Sequence, residues 1–160
     1  MITELSKNIE LAREWLTKGQ IVGLPTETVY GLGANALNED AVRQIFKIKN
    51  RPFYDPLIIH TSGKERLKEW GLSVPAALSS LAEAFWPGPL TILVPRSEQV
   101  PQLITAGLDR VAVRVPQHTM SQKLLASLSF PVAAPSANPF GSVSPSRAEH
   151  VLKYFDGDIG

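Results

Sequence analysis

Cysteine is absent from the 160 residues. Without thiols there can be no disulfide framework, no thiolate nucleophile and no Cys-containing zinc site, so any chemistry must rest on hydroxyls, carboxylates, amides and cations. Long apolar runs are lacking too. Nothing approaches the ~20 consecutive apolar residues of a membrane span, and Met1 to Trp15 is amphipathic and mixed in charge rather than a basic stretch followed by an apolar one. The expectation is a cytoplasmic chain, neither secreted nor membrane-bound. Excess charge of either sign is also missing: 16 Lys and Arg face 15 Asp and Glu, which excludes a strongly basic whole-domain footprint but not a local one. Histidine is scarce. His60, His118 and His150 show no i,i+4 pairing and no neighbouring carboxylate cluster, so no protein-held metal centre is expected, and a divalent ion would arrive with a nucleotide.

What is present suits one α/β domain, since 44% of the residues are hydrophobic and the length can bury a single core. Leu5, Ile9, Ala12 and Leu16 recur at helical spacing before Gly19, predicting a helix over 5–18, and 20–24 reads as a short buried strand. Asn38 is a good N-cap for a helix carrying Val42, Ile45, Phe46 and Lys49 on one face. Strands are predicted at 56–60, 91–94, 111–115 and 131–134. Helices are predicted ending near Trp70, over 73–85 with Leu78, Leu81 and Phe85 inward, around Met120, Leu124 and Leu128, and from a capping box of Ser146 and Glu149 to Phe155. Helices and strands alternate almost throughout, which argues for a mixed, largely buried sheet flanked by helices.

Several motifs bear on function. Gly31-Leu32-Gly33-Ala34-Asn35-Ala36 loosely fits a dinucleotide fingerprint, with Asp55 downstream, but its glycines neither follow a strand directly nor open a helix. Turns or close backbone approach explain them better. No Walker-type phosphate loop occurs in the sequence. Lys49-Asn50-Arg51 sets two cations two residues apart; in an extended segment both would project to one side and grip adjacent phosphate oxygens, whereas a helix-end cluster is the plainer account. Basic residues also gather at Arg43 and Lys47 and at Lys64, Arg66 and Lys68. Arg114 interrupts an apolar strand, which requires either a buried ion partner or a site to face. Ser136-Ala137-Asn138, with Gly141, Ser142 and Ser144, offers hydroxyls and small residues ahead of a helix N-terminus, and Pro25 to Tyr30 places two hydroxyls, a carboxylate and a phenol just after a strand. A capped loop and a polar turn are the bland alternatives.

Each motif is weak alone, but the succession PTETVYGLGANA, KNRP, DPLIIH, WPGPLT, VAVRVP, PSANPFGSVSPS resembles the YrdC family over about residues 8–156. The resemblance implies a twisted mixed α/β sheet around a positively charged concavity. There L-threonine, bicarbonate and ATP with Mg2+ would condense to threonylcarbamoyl-AMP and pyrophosphate, the precursor of a modified adenosine in tRNA. By motif, Thr28, His60, Arg114 and Ala134 fall on the threonine side. Arg51, Asp55, Ser136 and Ser144 fall on the nucleotide side, and Lys49 and Asn138 complete the family's Lys-x-Arg and Ser-x-Asn pairs. Lys49, Arg51, Ser136 and Asn138 are the residues expected to carry catalysis. No covalent intermediate is expected, because a dianion attacking a polyphosphate needs positive charge placed in advance more than it needs a base.

The sequence departs from the family in three places: Asp55 replaces a frequent asparagine, Arg110 replaces a small hydroxyl residue, and the family continues past Gly160 through a Ser/Thr-bearing strand and an arginine. Residues 1–160 are therefore expected to form one domain lacking the family's C-terminal end. Two other readings compete: a carbamoyl-adenylate-forming domain fed by carbamoyl phosphate, and a non-catalytic module binding double-stranded RNA or tRNA. Partner proteins of tRNA modification are expected to take the unstable product.

Overall fold

A computed structural model describes residues 3–160; Met1 and Ile2, at the head of the amphipathic Met1–Trp15 stretch, lie outside the described residues. Asn8 opens α1 (Ile9–Thr17) by accepting from the Leu11 N–H at 3.2 Å, so the helix begins later than the apolar spacing predicts and Leu5 stays exposed. It is followed by β1 (Val22–Leu24), β2 (Gly31–Asn35), α2 (Glu39–Lys49), β3 (Ile58–His60), α3 (Ser79–Phe85), β4 (Thr91–Pro95), α4 (Gln102–Thr105), β5 (Arg110–Arg114), α5 (Thr119–Ser127), β6 (Val132–Ala133) and α6 (Ala148–Phe155). Lys64–Trp70 and Ala76–Leu78 are short 3-10 helices.

Among the described residues the strands form one six-stranded sheet in the order β1-β2-β6-β3-β5-β4, with β3 and β5 parallel and every other pairing antiparallel. Two apolar cores lie on its two faces. Ala133 belongs to a large core with Val42, Ile45, Phe46, Ile59 and Val113, while Val132 and Ala134 belong to a smaller one with Leu16, Leu124 and Leu125, as alternation along a strand requires. The mixed sheet is as predicted.

Four local details differ from or add to the expected pattern. The glycine-rich segment 31–35 is a strand that no periodicity predicts, and of turns and close approach it is close approach that holds: a Cβ on Gly33 would collide with the Leu24 side chain of the paired strand. The helix expected over 73–85 is α3 preceded by a 3-10 turn, and Ala82 is its buried residue while Leu81 and Phe85 point to solvent. The capping box at Ser146 does not form; α6 starts after Arg147 without a side-chain cap. The short helix α4 has no signal in the periodicity, being a single turn.

Candidate functional site

Strand register decides which side chains share a face. His60 pairs with Arg114 on one side and with Val132 on the other, and Ala134 continues that ladder by donating to the Ile58 carbonyl at 2.9 Å. Residues two apart on a strand point the same way, so Arg114, His60 and Ala134 project from one face. An isolated bridge between Gly31 and Ser136 carries the register on to Ser136. Because β6 runs antiparallel to β3, Ser136 lies towards the start of β3 and Arg114 towards its end. Four residues along the strand direction, about 13 Å, and two strand spacings across the sheet, about 10 Å, separate their backbones. The predicted residues therefore form an elongated array with two ends rather than a point.

At one end Arg114 is buried, and its guanidinium is held on three sides. Its Nε donates to the Gly88 carbonyl at 3.3 Å, both Nη atoms donate to Thr28 Oγ1 at 3.2 Å, and Nη2 pairs with Glu27 Oε1 at 2.5 Å. Glu27 Oε2 accepts from the Gln117 N–H at 3.1 Å. Burial works to raise the Glu27 carboxyl, but the Arg114 hydrogen bond, backbone N–H groups and the Arg114 charge outweigh it and leave the group below its ordinary range. Burial first, and then the positive charge of Arg114, push His60 down to about 4, so its imidazole is neutral at physiological pH. Among the described residues, His60 Nδ1 is buried without a hydrogen-bond partner, as is Thr61 Oγ1. Sequence reasoning weighed an ion partner for Arg114 but did not pick Glu27. The signal available was its place beside Thr28 in the same polar turn.

At the other end, Lys49 closes α2 and Asn50 follows in the left-handed conformation at φ 51°. The Lys-x-Arg pair is thus not an extended segment projecting two cations together. Lys49 turns inward, only 1% exposed, and its ammonium donates to the carbonyl oxygens of Ser136, at 2.6 Å, and of Asn138. Its own carbonyl accepts from the Phe140 N–H at 2.8 Å. Burial, followed by the charge of Arg51, pushes Lys49 down to about 8, with Asp55 acting the other way. Asn138 is buried as well, and its Nδ2 donates to the Pro139 and Ser142 carbonyls at 2.9 Å while Oδ1 has no partner. Lys49 and Asn138 therefore bracket the 135–145 loop from inside. Arg51 and Ser136 are the members of the two signature pairs left partly accessible.

Arg51 is itself committed. Its Nη2 lies 2.9 Å from Asp55 Oδ2 and donates to the Pro56 carbonyl at 2.8 Å, while Nε donates to the Asp55 carbonyl at 3.1 Å. Burial lowers its guanidinium below the ordinary value and Asp55 opposes the shift. Ser144 is exposed on the loop, and Phe140 places its ring 6.0 Å from the Arg51 guanidinium. Arg110 stands exposed at the opposite end of β5 from Arg114, about 13 Å along the strand.

The two ends are physically joined. Thr28 touches Arg114, and two residues on Tyr30 donates to the Pro145 carbonyl and accepts from the Ala137 N–H, each at 2.8 Å. The 25–30 turn thus spans from the arginine to the loop that Lys49 secures. A cavity of about 310 Å³ opens between α1, α5 and α6, lined by Leu5, Ile9, Trp15, Leu24, Met120 and Ile159; of the candidate 25–30 turn only Pro25 and Tyr30 reach it. Among the described residues no three acidic or histidine side chains gather closely enough to hold a metal ion, and no helix is long and apolar enough to cross a membrane.

The Sua5/YciO/YrdC family, described as telomere recombination, matches residues 14–160. The chain belongs to that family. It is 50% identical over 151 residues to a threonylcarbamoyl-AMP synthase of Pyrococcus abyssi, covering 94% of this chain and 44% of that protein. A threonylcarbamoyl-AMP synthase of Bacillus subtilis is 43% identical over 160 residues, covering 98% and 46%. The chain spans about half the length of these relatives. The crystal structure of P. abyssi Sua5 complexed with L-threonine superposes with a TM-score of 0.92 at 48% identity, covering 99% of this chain and 47% of that one.

Proposed function

We propose that this chain carries the synthase chemistry of its relatives: L-threonine, bicarbonate and ATP are condensed to threonylcarbamoyl-AMP and pyrophosphate, supplying the modification of tRNA. The observation that carries the reading is the two-ended array. Arg114, Thr28, His60 and Ala134 share one end, where a guanidinium can receive the carboxylate of an amino acid. Arg51, Asp55, Ser136 and Ser144 are assigned to the nucleotide, with Arg51 as the cation among them and Asp55 as its ion partner. The similar P. abyssi protein is complexed with L-threonine, which supports threonine as the amino-acid substrate.

The reaction asks for positive charge placed in advance along a crowded polyanion. On this reading Arg114 receives the threonine carboxylate, and the carbamate formed from the amine and bicarbonate with loss of water attacks the α-phosphorus in line, releasing pyrophosphate. Arg51, with Mg2+ brought by ATP, offsets charge on the departing pyrophosphate. Lys49 and Asn138 act one step removed, by holding the loop that presents Ser136. The setting is cytoplasmic, where ATP and tRNA are available, and partner proteins of tRNA modification would accept the product.

The test measures pyrophosphate release with ATP and Mg2+ while threonine and bicarbonate are omitted in turn. Dependence on both supports the synthase. Turnover that needs carbamoyl phosphate instead, or no turnover with tight, salt-sensitive RNA binding, replaces the reading by a carbamoyl-adenylate-forming domain or an RNA-binding module.

A further inference from the structure

The charges around Arg114 sum to zero before any ligand arrives. The guanidinium contributes one positive charge, Glu27 contributes one negative charge at 2.5 Å, and the neighbouring His60, neutral at physiological pH, contributes none. The other groups touching the guanidinium, Thr28 Oγ1 and the Gly88 carbonyl, are neutral dipoles. A ligand bringing only a carboxylate would leave this buried corner with a net negative charge, which is costly away from water. A ligand bringing both signs leaves it neutral.

The geometry can serve both signs. Of the five guanidinium N–H groups, the bonds to Gly88, Thr28 and Glu27 occupy four and leave one on Nη1. Glu27 accepts one hydrogen bond on each carboxylate oxygen and retains a further lone pair on each. Its side chain remains 18% exposed, against 10% for Arg114, so the acid is the more reachable member of the pair. Both of its oxygens are held, one by Arg114 at the end of β5 and one by the Gln117 backbone N–H, which restrains the carboxylate in place.

We propose that Glu27 is a specificity-determining residue that receives the ammonium group of an α-amino acid whose carboxylate is held by Arg114. The proposal rests on the amino-acid end assigned above and deepens it: the pair reads a zwitterion, with Glu27 excluding plain carboxylates and hydroxy acids of the same shape.

The test titrates L-threonine, its deaminated analogue 2,3-dihydroxybutanoate, and ATP into the unaltered chain, Glu27→Gln and Glu27→Asp by calorimetry. The unaltered chain is expected to prefer threonine over the analogue by about ten-fold or more, the scale of one charge-assisted hydrogen bond. In Glu27→Gln that preference collapses, threonine weakening while the analogue binds equally or better, and ATP affinity holds, which shows that the fold survives. Glu27→Asp, which keeps the charge, restores most of the preference. Threonine binding and pyrophosphate release that persist with the preference intact in Glu27→Gln, or an Asp variant indistinguishable from the Gln one, overturn the Glu27 assignment alone. An unaltered chain that binds no threonine overturns the amino-acid end itself and this inference with it.

Discussion

Lys49 Nζ donates to the Ser136 carbonyl at 2.6 Å across 87 residues of sequence, and the same ammonium donates to the Asn138 carbonyl. The two signature pairs of the sequence thus meet through backbone oxygens, with the lysine spent on the loop rather than offered to a phosphate. Replacing Lys49 by Met keeps much of the volume but leaves the Asn138 carbonyl without a donor and the Ser136 carbonyl with only the Asn138 N–H, an expected loss of about 1–3 kcal/mol. Urea unfolding checks this through the midpoint, and pyrophosphate release should fall as the loop loosens. Full stability in Lys49→Met would mean that the loop does not depend on the ammonium.

Asp55 sits 2.9 Å from Arg51 and neutralises the cation that the nucleotide end requires. Asparagine there would keep a hydrogen-bonding group and free the guanidinium charge for phosphate. Asp55→Asn is therefore expected to tighten ATP binding several-fold, in keeping with the ~1 kcal/mol scale of a partly exposed ion pair. Calorimetric titration with ATP measures it. Weaker binding would instead assign Asp55 a direct part in holding the nucleotide or its metal.

His60 gives the protein a defined acid sensitivity. Its pKa is about 4 in the fold against 6.5 for an ordinary histidine, so between those values the unfolded chain binds more protons than the folded one. Stability from this group is complete above about pH 6.5 and is lost as pH falls to about 4, a total of about 3 kcal/mol for 2.5 units. Chemical denaturation at stepped pH, with His60→Gln as the reference, should show a slope over that window in the parent that is absent from the variant.

How much of this was legible in the sequence follows from the range of each interaction. Periodicity and capping are local, and they located α2, β3, β4, β5 and the mixed sheet, with Asn38 capping as predicted. Gly31–Asn35 was missed as a strand because its glycines carry no β propensity; only packing against Leu24 and Val132 explains them. The site residues could be nominated by type and order, and of the two accounts of Lys49 and Arg51 the helix-end one holds: Asn50, a residue type that tolerates the left-handed cap, adopts φ 51° and the extended pairing does not form. The choice of Glu27 as partner for Arg114, across 87 residues, lay wholly in the tertiary fold.

Gly88 is the smallest piece of the amino-acid end and one of its supports. Its N–H donates to the Val115 carbonyl at 2.8 Å and its own carbonyl receives Arg114 Nε at 3.3 Å, so the turn after Trp86 is clamped to the end of β5 by one residue. A Cβ at this position would collide with the Phe85 carbonyl oxygen, a backbone atom that cannot rotate aside. Gly88→Ala must therefore shift the turn, and because the displaced group is the acceptor of Arg114, the guanidinium loses its inner anchor while Glu27 and Thr28 still hold its outer edge. The expected result is a destabilisation of about 1–3 kcal/mol, as for overpacking of a close contact, together with a raised KM for threonine and an unchanged KM for ATP. Steady-state pyrophosphate release with each substrate varied separately distinguishes this from general unfolding, which would lower the active fraction without moving either KM. Equal loss towards both substrates would show that the two ends of the site do not respond independently.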